Sequence, residues 1–394
     1  MKSRYAVVVI GYNRLNSLMR LCESLKRVDS LGDRLDLIIS LDFYEDKSIV
    51  NYAMQFTWEK GQKKIVAHEE RLGLKKHVLS CGRFLEEYEA IVVLEDDLYV
   101  SSQMYSYMRQ AVAMYQDSEE IAGISLYSYG RNEINGLGFK ADYSKYDVFF
   151  MQLAQSWGQV WMRKQWNDFY DWYKCNCNND MFTDIHIPKS IKNWSKQSWL
   201  KYHIAYCAVK NKYFVYPYMS LTTCFSEAGE HTKYADITQQ VPLYEGIGYT
   251  YRFAAITDED IVKYDSFFER MNMERYIPEI QNEEKVCVDL YGNKYNFEGY
   301  KYILTSNKYD NLCEIKRYGL FVKPQEMNVI LDIKGDDIFL YDISTCADEL
   351  REGRCDKWRK WEYYSSPKVT SDINMLKMYF YKLIRKFFGK RNRK

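Results

Sequence analysis

Three consecutive carboxylates follow a short apolar run in the first third of the chain. Residues 91–94 are apolar and lead directly into Glu95, Asp96 and Asp97. Adjacent anions repel one another unless a cation or hydrogen bonds offset their charge. Oxygen ligands suit Mg²⁺ or Mn²⁺, which usually complete their coordination with water and substrate phosphates. A solvated acidic turn before a helix is the alternative, but the preceding buried strand favours a metal site.

Other predicted strands also end in groups that could bind a nucleotide. These groups are Gly11, Tyr12, Asn13 and Arg14 after the first strand, Asp42 after the second, and Arg71 and Lys75 after the third. Tyr12 can stack on or beside a base, and the Asp42 carboxylate can accept hydrogen bonds from a base or ribose. The two later cations, near a helix N-terminus, could face a diphosphate. An ordinary strand–helix turn explains the first segment equally well, since neither a G-x-G-x-x-G motif nor a P-loop is present.

The elements that position these groups alternate between two periods. Strands are predicted at 5–10, 35–41, 64–68, 90–94 and 121–126. The first is a short, β-branched, continuously apolar run, as expected for a buried parallel strand. Helical spacing predicts one helix that begins at Leu15 and further helices at 47–59, 74–88 and 103–116. Ser101 or Ser102 is expected to be the N-cap of the last helix. Strands alternating with helices imply an α/β fold with a mostly parallel sheet, which binds ligands at the carboxyl ends of its strands.

The chain divides by character into three parts. The α/β pattern belongs to a first domain at 1–240, and a smaller α+β region follows at 241–370. Short strands are expected in that region at 286–290, 301–304 and 329–333. The last part, 371–394, is a basic amphipathic tail.

The order of these motifs resembles a known group of enzymes. The order is an apolar strand followed by G-Y-N-R, a strand followed by S-x-D, then R-x-G-L, and then a strand followed by E-D-D. This order is similar to that of the GT-A glycosyltransferases of the family 2 type. The Glu-Asp-Asp form is similar to the metal motif of the N-acetylglucosaminyltransferase I family, family 13. The resemblance covers roughly residues 5–231. It implies that Asp97 binds the metal and Asp96 the ribose or metal waters. It further implies that the groups after the first two strands line the nucleoside pocket, with Arg71 and Lys75 near it.

Two later segments extend the resemblance. Trp157 and Gly158 lie in a segment similar to S-W-G-x-x-W of related bacterial transferases, where it shapes the floor for donor sugar and acceptor. Relatives also carry a glycine-rich loop ending in a histidine near the diphosphate, which assigns His231 as a second metal ligand. This chain lacks the usual Asn-x-Gly and Asp-Gly of that loop. Aromatic core packing and a structural histidine are the corresponding alternatives.

The general base lacks a direct match. Relatives carry an aspartate where this chain has Leu200 or Lys201, and a lysine is unsuited as a base unless it is strongly desolvated. The acidic alternatives are Asp180, Asp184, Glu227 and Glu230. Glu227 is preferred, because its loop is expected to approach the donor.

The composition of the chain indicates which classes of ligand and which cellular location to expect. A net charge of +1 gives no sign of nucleic-acid binding. The 37 tyrosines suit a sugar site, although codon bias explains them equally well. Ten scattered cysteines favour free thiols in a reducing cytosol over a disulfide framework or a zinc site. The N-terminal apolar run is too short for a signal peptide, and no run reaches the roughly 18 residues of a membrane span. A cytoplasmic protein is expected, free or peripheral on the inner face of the membrane.

The tail carries the membrane hypothesis. Apolar side chains at helical spacing lie opposite basic ones over residues 375–394. Such a helix can lie in the headgroup region of an anionic bilayer. Docking of the apolar face on the protein's own core is the rival interpretation.

The sequence thus predicts a metal-dependent, inverting hexosyl- or N-acetylhexosaminyltransferase. It would use Mn²⁺ or Mg²⁺, a UDP-sugar donor and a glycan or lipid-linked acceptor. A sugar-phosphate nucleotidyltransferase would need a glycine-rich G-x-G-x-R/K loop after the first strand, which this chain does not have. A catalytically degenerate partner subunit is the third hypothesis: the intact acidic triplet argues against it, and the unmatched base argues for it.

Overall fold

The computed structural model describes residues 4–177, 180–225, 237–248, 250–280, 284–344, 353–355, 357–365, 373, 375–377 and 379–380. The chain forms two compact units. The first comprises Met1–Ile134 and Phe139–Met271, and the second comprises Asn135–Gly138 and Asn272–Lys394.

The first unit is built on β-sheet. Its strands are β1 (Tyr5–Gly11), β2 (Leu35–Leu41), β3 (Lys63–Ala67), β4 (Ala90–Glu95), β5 (Leu98–Val100), β6 (Ile121–Ser125), β7 (Val148–Met151), β8 (Gln159–Met162), β9 (Tyr213–Pro217), β10 (Thr222–Cys224) and β11 (Lys263–Tyr264). Nine of them form one sheet in the order β11-β7-β9-β6-β8-β4-β1-β2-β3, and β5 pairs with β10 in a separate ladder.

The directions of the strands bring several strand ends to one edge of the large sheet. β1 is parallel to β2 and β4, and β2 is parallel to β3. β8 runs antiparallel between β4 and β6, and β9 is parallel to β6. The carboxyl ends of six strands and the start of β8 therefore lie at the same edge. The predicted α/β fold with a mostly parallel sheet is confirmed.

Helices cover the sheet. They are α1 (Leu15–Lys26), α2 (Ser48–Gln55), α3 (Leu74–Ser80), α4 (Met104–Tyr115), α5 (Arg163–Asn176), α6 (Lys189–Lys192) and α7 (Leu200–Val209). Every residue of β1 and β2 is buried, as expected for strands covered on both faces. α1 buries Leu18, Leu21, Cys22 and Leu25, a spacing that puts all four on one face toward the core.

The predicted serine N-cap of α4 is wrong. The helix begins at Met104 after Gln103, with no side-chain cap. Ser101 lies too early in the chain for that position. Its hydroxyl instead accepts a hydrogen bond from the Gln103 amide at 3.0 Å and donates one to the Tyr244 carbonyl. The hydroxyl therefore joins the start of α4 to a distant loop.

The second unit is a smaller α+β structure with its own core. Its elements are β12 (Val286–Asp289), β13 (Tyr302–Thr305), β14 (Asn307–Lys308), β15 (Cys313–Tyr318), α8 (Met327–Ile330), β16 (Ile338–Asp342), β17 (Arg354–Cys355) and α9 (Lys357–Tyr364). Four strands form a sheet in the order β12-β13-β16-β15, and β14 pairs with β17. Leu304 and Leu340 are fully buried in the centre of that sheet.

The strand predicted at 329–333 is wrong, because α8 (Met327–Ile330) ends within this segment and a turn follows it. The buried Asn328 side chain accepts hydrogen bonds from the amides of Phe321 and Val322 and donates to the carbonyls of Val322 and Gln325. These contacts fold the segment back on itself. A short apolar run does not by itself distinguish a strand from a helix.

No helix in the described ranges is both long enough and apolar enough to cross a membrane. The cysteines whose state the structure gives, which exclude Cys346 and Cys355, are all free thiols.

Candidate functional site

The acidic triplet lies at the carboxyl edge of the large sheet. Glu95 ends β4, and Asp96 and Asp97 follow it. Asp96 is only 3% exposed, whereas the Asp97 side chain is 27% exposed. A Cβ at Gly11 would lie 3.9 Å from Asp96 Oδ2 and 3.0 Å from the Leu41 side chain. The bare backbone at the end of β1 therefore leaves room for the Leu41 side chain, and it lies in contact range of the buried Asp96 carboxylate.

Arg14 joins the two aspartates. Its Nη1 donates to Asp97 Oδ2 at 3.1 Å, and its Nη2 donates to Asp96 Oδ1. The Tyr12 amide also donates to the Asp96 carboxylate. Burial nevertheless raises the pKa of Asp96 to about 6, against the opposing effect of Arg14. Burial, with repulsion from both aspartates, raises the pKa of Glu95 to about 8.

This electrostatic arrangement fits a divalent cation. One guanidinium faces three carboxylates, two of which have raised pKa values, and a bound cation would favour their ionised forms. Among the described residues, no three or more His, Cys, Asp and Glu side chains converge as a ready-made metal cage. Mg²⁺ and Mn²⁺ need no such cage, because one or two carboxylates with water and substrate phosphates suffice. Asp97, the more exposed aspartate, is the residue that could hold the ion, with Asp96 behind it.

An aromatic and cationic wall lies beside the triplet. The Arg71 guanidinium lies 4.3 Å from the centre of the Tyr12 ring and donates to the Tyr12 hydroxyl at 2.6 Å. Tyr44, which the sequence did not single out, packs edge-on against Tyr12 with ring centroids 5.2 Å apart. Asn13 is exposed at the same turn. The wall could stack on a base and place a cation near a phosphate.

Asp42 holds the loop that carries Arg71. Its carboxylate is buried and accepts hydrogen bonds from the amides of Phe43, Leu72 and Gly73, at 2.9, 2.7 and 2.9 Å. These bonds connect the end of β2 to the start of α3. A direct contact of Asp42 with a nucleoside stays a prediction.

Lys75 contacts different residues from those that Arg71 contacts. Its ammonium donates to the Lys196 carbonyl at 3.1 Å and lies 4.4 Å from the centre of the Tyr202 ring. Burial lowers its pKa. A role for Lys75 in donor binding also stays a prediction.

Trp157 and Gly158 lie at the start of β8, on the same edge as the triplet. Gly158 has φ +100°, and a Cβ there would lie 2.9 Å from Thr222 Cγ2. Only glycine adopts this backbone without strain. The resulting turn packs the Trp157 ring 4.7 Å from Tyr127 and 5.9 Å from Tyr129, centroid to centroid.

Glu133 is a candidate general base that the sequence did not indicate. It lies in the loop after β6, and the Tyr129 hydroxyl donates to its carboxylate at 3.3 Å. Burial raises the pKa of Glu133 to about 7. The Tyr129 ring in turn packs against Trp157 at the carboxyl edge of the sheet. No local motif marks it, because it is a single acidic residue in a loop without period.

Several predicted residues fall outside this picture. Glu227, Glu230 and His231 lie outside the described residues. Asp184 is exposed. Lys201 is buried, and its ammonium donates to the carbonyls of Lys192 at 2.6 Å and Trp194 at 3.2 Å. Lys201 thus holds the end of α6.

Comparison with known proteins gives only distant similarity. No protein-family model matches this chain, and no curated protein matches it at a significant level. Its structure is similar to that of TarS 1–349 from S. aureus in complex with UDP-GlcNAc, with TM-score 0.37 and 17% identity over 59% of this chain and 60% of that chain. It is also similar to the mannosyltransferase PcManGT from Pyrobaculum calidifontis in complex with GDP-Man and Mn²⁺, with TM-score 0.32 and 15% identity. That match covers 42% of this chain and 46% of that chain. Because both TM-scores are low, no residue role is transferred from either structure.

Proposed function

We propose that this protein is a metal-dependent glycosyltransferase of the GT-A type. It would move a hexosyl or N-acetylhexosaminyl group from a nucleotide-sugar, with UDP as the expected nucleotide, to a hydroxyl of a glycan or lipid-linked acceptor. The anomeric configuration would invert.

The arrangement at the carboxyl edge of the sheet carries this proposal. A partly exposed carboxylate, Asp97, lies with the buried Asp96 on a shared arginine. The Tyr12 backbone contacts that pair, and the Tyr12 ring begins the aromatic wall with Arg71. A nucleoside diphosphate presents matching groups in the same order: phosphates for a metal held by carboxylates, and a base for an aromatic face.

The reaction would use groups already at this edge. A carboxylate takes the proton of the acceptor hydroxyl, whose oxygen attacks the anomeric carbon as the bond to the nucleoside diphosphate breaks. A bound divalent ion would offset the charge that develops on the departing diphosphate. Arg71 would bind a phosphate of the donor.

Slow hydrolysis of nucleotide-sugars tests the proposal without knowledge of the acceptor. We expect the full-length protein to release free sugar and UDP from at least one UDP-sugar with Mn²⁺ and to lose this activity in EDTA. A thermal-shift screen of nucleotide-sugars with Mn²⁺ identifies the donor beforehand. Metal-dependent binding without turnover would favour the degenerate partner subunit. Release of pyrophosphate from UTP and a sugar phosphate would favour a nucleotidyltransferase, and no binding of any nucleotide would contradict the proposal.

The C-terminal tail could hold the enzyme at a lipid-linked acceptor. Most of it lies outside the described residues, but residues 375–377 and 379–380 are helical. Leu376, Tyr379 and Phe380 are 57, 61 and 59% exposed. Their spacing of three and four residues puts them on one helix face. An exposed apolar face followed by a basic end suits an anionic bilayer surface.

Deletion of residues 375–394 is therefore expected to move the protein from anionic liposomes to the soluble fraction in a flotation assay. Activity on a short soluble acceptor should be preserved, because the acidic triplet lies in the other unit. Phosphatidylcholine liposomes are the control and should bind neither form. Unfolding of the truncated protein, or full-length protein that ignores anionic liposomes at low salt, would show that the tail belongs to the core.

A further inference from the structure

A polar cavity lies within the smaller unit. Its volume is about 450 Å³, which is in the range of small-molecule sites. Four basic and three acidic side chains line it, together with Leu320 and Phe339. These are Lys308, Arg354, Arg359 and Lys360, with Asp310, Asp336 and Asp337.

The acidic side chains of this cavity already have partners. Asp337 pairs with Arg359 at 3.1 Å, and Asp310 pairs with Arg354. Asp336 pairs at 2.8 Å with Arg317, which does not line the cavity. The carboxylates are therefore committed to arginines, and the positive charge of the two lysines is left over.

Lys360 is the unusual member. It is only 6% exposed, and its Nζ has no hydrogen-bond partner among the residues that the structure describes. A Cβ at Gly292 would lie 3.4 Å from this Nζ, so the ammonium rests beside bare backbone. Leaving a buried ammonium without a partner is costly. A ligand that supplies acceptor oxygens would remove that cost.

The nearby Asp289 carboxylate does not serve as the acceptor for the Lys360 ammonium. Burial raises the pKa of Asp289 to about 6, and Lys360 is one of the charges that oppose the increase. The Asp289 carboxylate instead accepts hydrogen bonds from the amides of Asn293 and Lys294, at 2.8 and 2.9 Å. It has no hydrogen bond with Lys360 among the described residues.

Lys308 is the second lysine that lines the cavity. Lys308 lies directly opposite Arg354 in the β14–β17 ladder. Like charges in this position destabilise a strand pair unless an anion lies between them. The Lys308 side chain is exposed and has no acidic partner in the described part of the chain.

We propose that this cavity binds a phosphate group carried by a sugar-sized molecule. Lys360 and Lys308 bind the phosphate oxygens, since a multiply charged anion suits two ammonium groups. The volume exceeds that of a phosphate alone, and Leu320 and Phe339 offer apolar contact to a ring. The site is independent of the proposed transferase activity, because all its residues belong to the other unit.

Calorimetry on the full-length protein in EDTA tests this site, with glucose 6-phosphate, inorganic phosphate and glucose as probes. We expect glucose 6-phosphate to bind more tightly than inorganic phosphate, and glucose not to bind. Lys360→Met keeps the apolar stem and should weaken glucose 6-phosphate binding about ten- to hundredfold, as loss of a charged hydrogen bond does. Lys308→Gln should weaken it less. The control Lys285→Gln, at an exposed lysine of the same unit, should bind like the parent protein.

Each other outcome counts against the site. Equal affinities in the parent protein, Lys360→Met and Lys308→Gln would overturn it, as would binding of glucose alone or no binding of either phosphate compound. Binding of inorganic phosphate only would remove the sugar from the proposal. If Lys360→Met does not fold, Lys308→Gln decides, and an unchanged affinity in that variant rejects the site. Repeating the titration on Asp97→Asn separates this site from the nucleotide site, because its affinity should not change.

Discussion

Asp97→Asn is expected to abolish transfer and Mn²⁺-dependent UDP binding while leaving the fold intact. The substitution removes an anionic oxygen ligand, which Mg²⁺ or Mn²⁺ requires. Arg14 keeps its bond to Asp96, and the Asp97 carbonyl still accepts the Phe225 amide at 2.8 Å. The lost ion pair is partly exposed, so we expect a stability change of no more than about 1 kcal/mol.

Titration of UDP with and without Mn²⁺ measures this effect, and thermal unfolding checks the fold. Glu45→Gln is the matched control, because Glu45 is an exposed carboxylate in the loop after β2, at the same edge of the sheet. It should keep both activity and metal dependence. If Asp97→Asn binds UDP with undiminished Mn²⁺ dependence, the metal site is not here.

Replacement of Glu133, the candidate general base, should have the second largest effect. Glu133→Gln is expected to lower kcat by about 10²- to 10⁴-fold, the usual contribution of a general base. The KM for the donor should change little, because the interaction is made in the transition state. Glu227→Gln is the direct rival, since the sequence prefers Glu227. Normal turnover in either variant removes that residue from the mechanism.

The pH dependence provides an independent check on Glu133. A base acts in its ionised form, so turnover should rise with pH through about 7, the raised pKa of this carboxyl. The hydrogen bond from Tyr129 lowers that pKa, because it stabilises the ionised form. Tyr129→Phe should therefore move the rise to higher pH while keeping the ring contact with Trp157. A profile that does not move would separate Glu133 from the rate.

The sequence alone determined strands β1–β4 and β6 and the acidic motif. β2 is found at Leu35–Leu41, as predicted, because a parallel strand covered on both faces is a predominantly apolar run. The triplet was identified for the same reason, since three charged residues interrupt such a run. Where the local signal was ambiguous, prediction failed. The segment 329–333 forms the end of α8 and the turn after it, and the buried Asn328 bonds the surrounding backbone groups.

Only the tertiary structure decided which residues meet. Arg14 reaches Asp96 across 82 positions of sequence, because β1 and β4 are adjacent in the sheet although two strands separate them in the chain. Insertion of β8 against the direction of its neighbours brings Trp157 to the edge where Glu133 follows β6. A carboxylate in a loop has no period or motif of its own. Its burial and its raised pKa arise from neighbours that only the folded chain supplies.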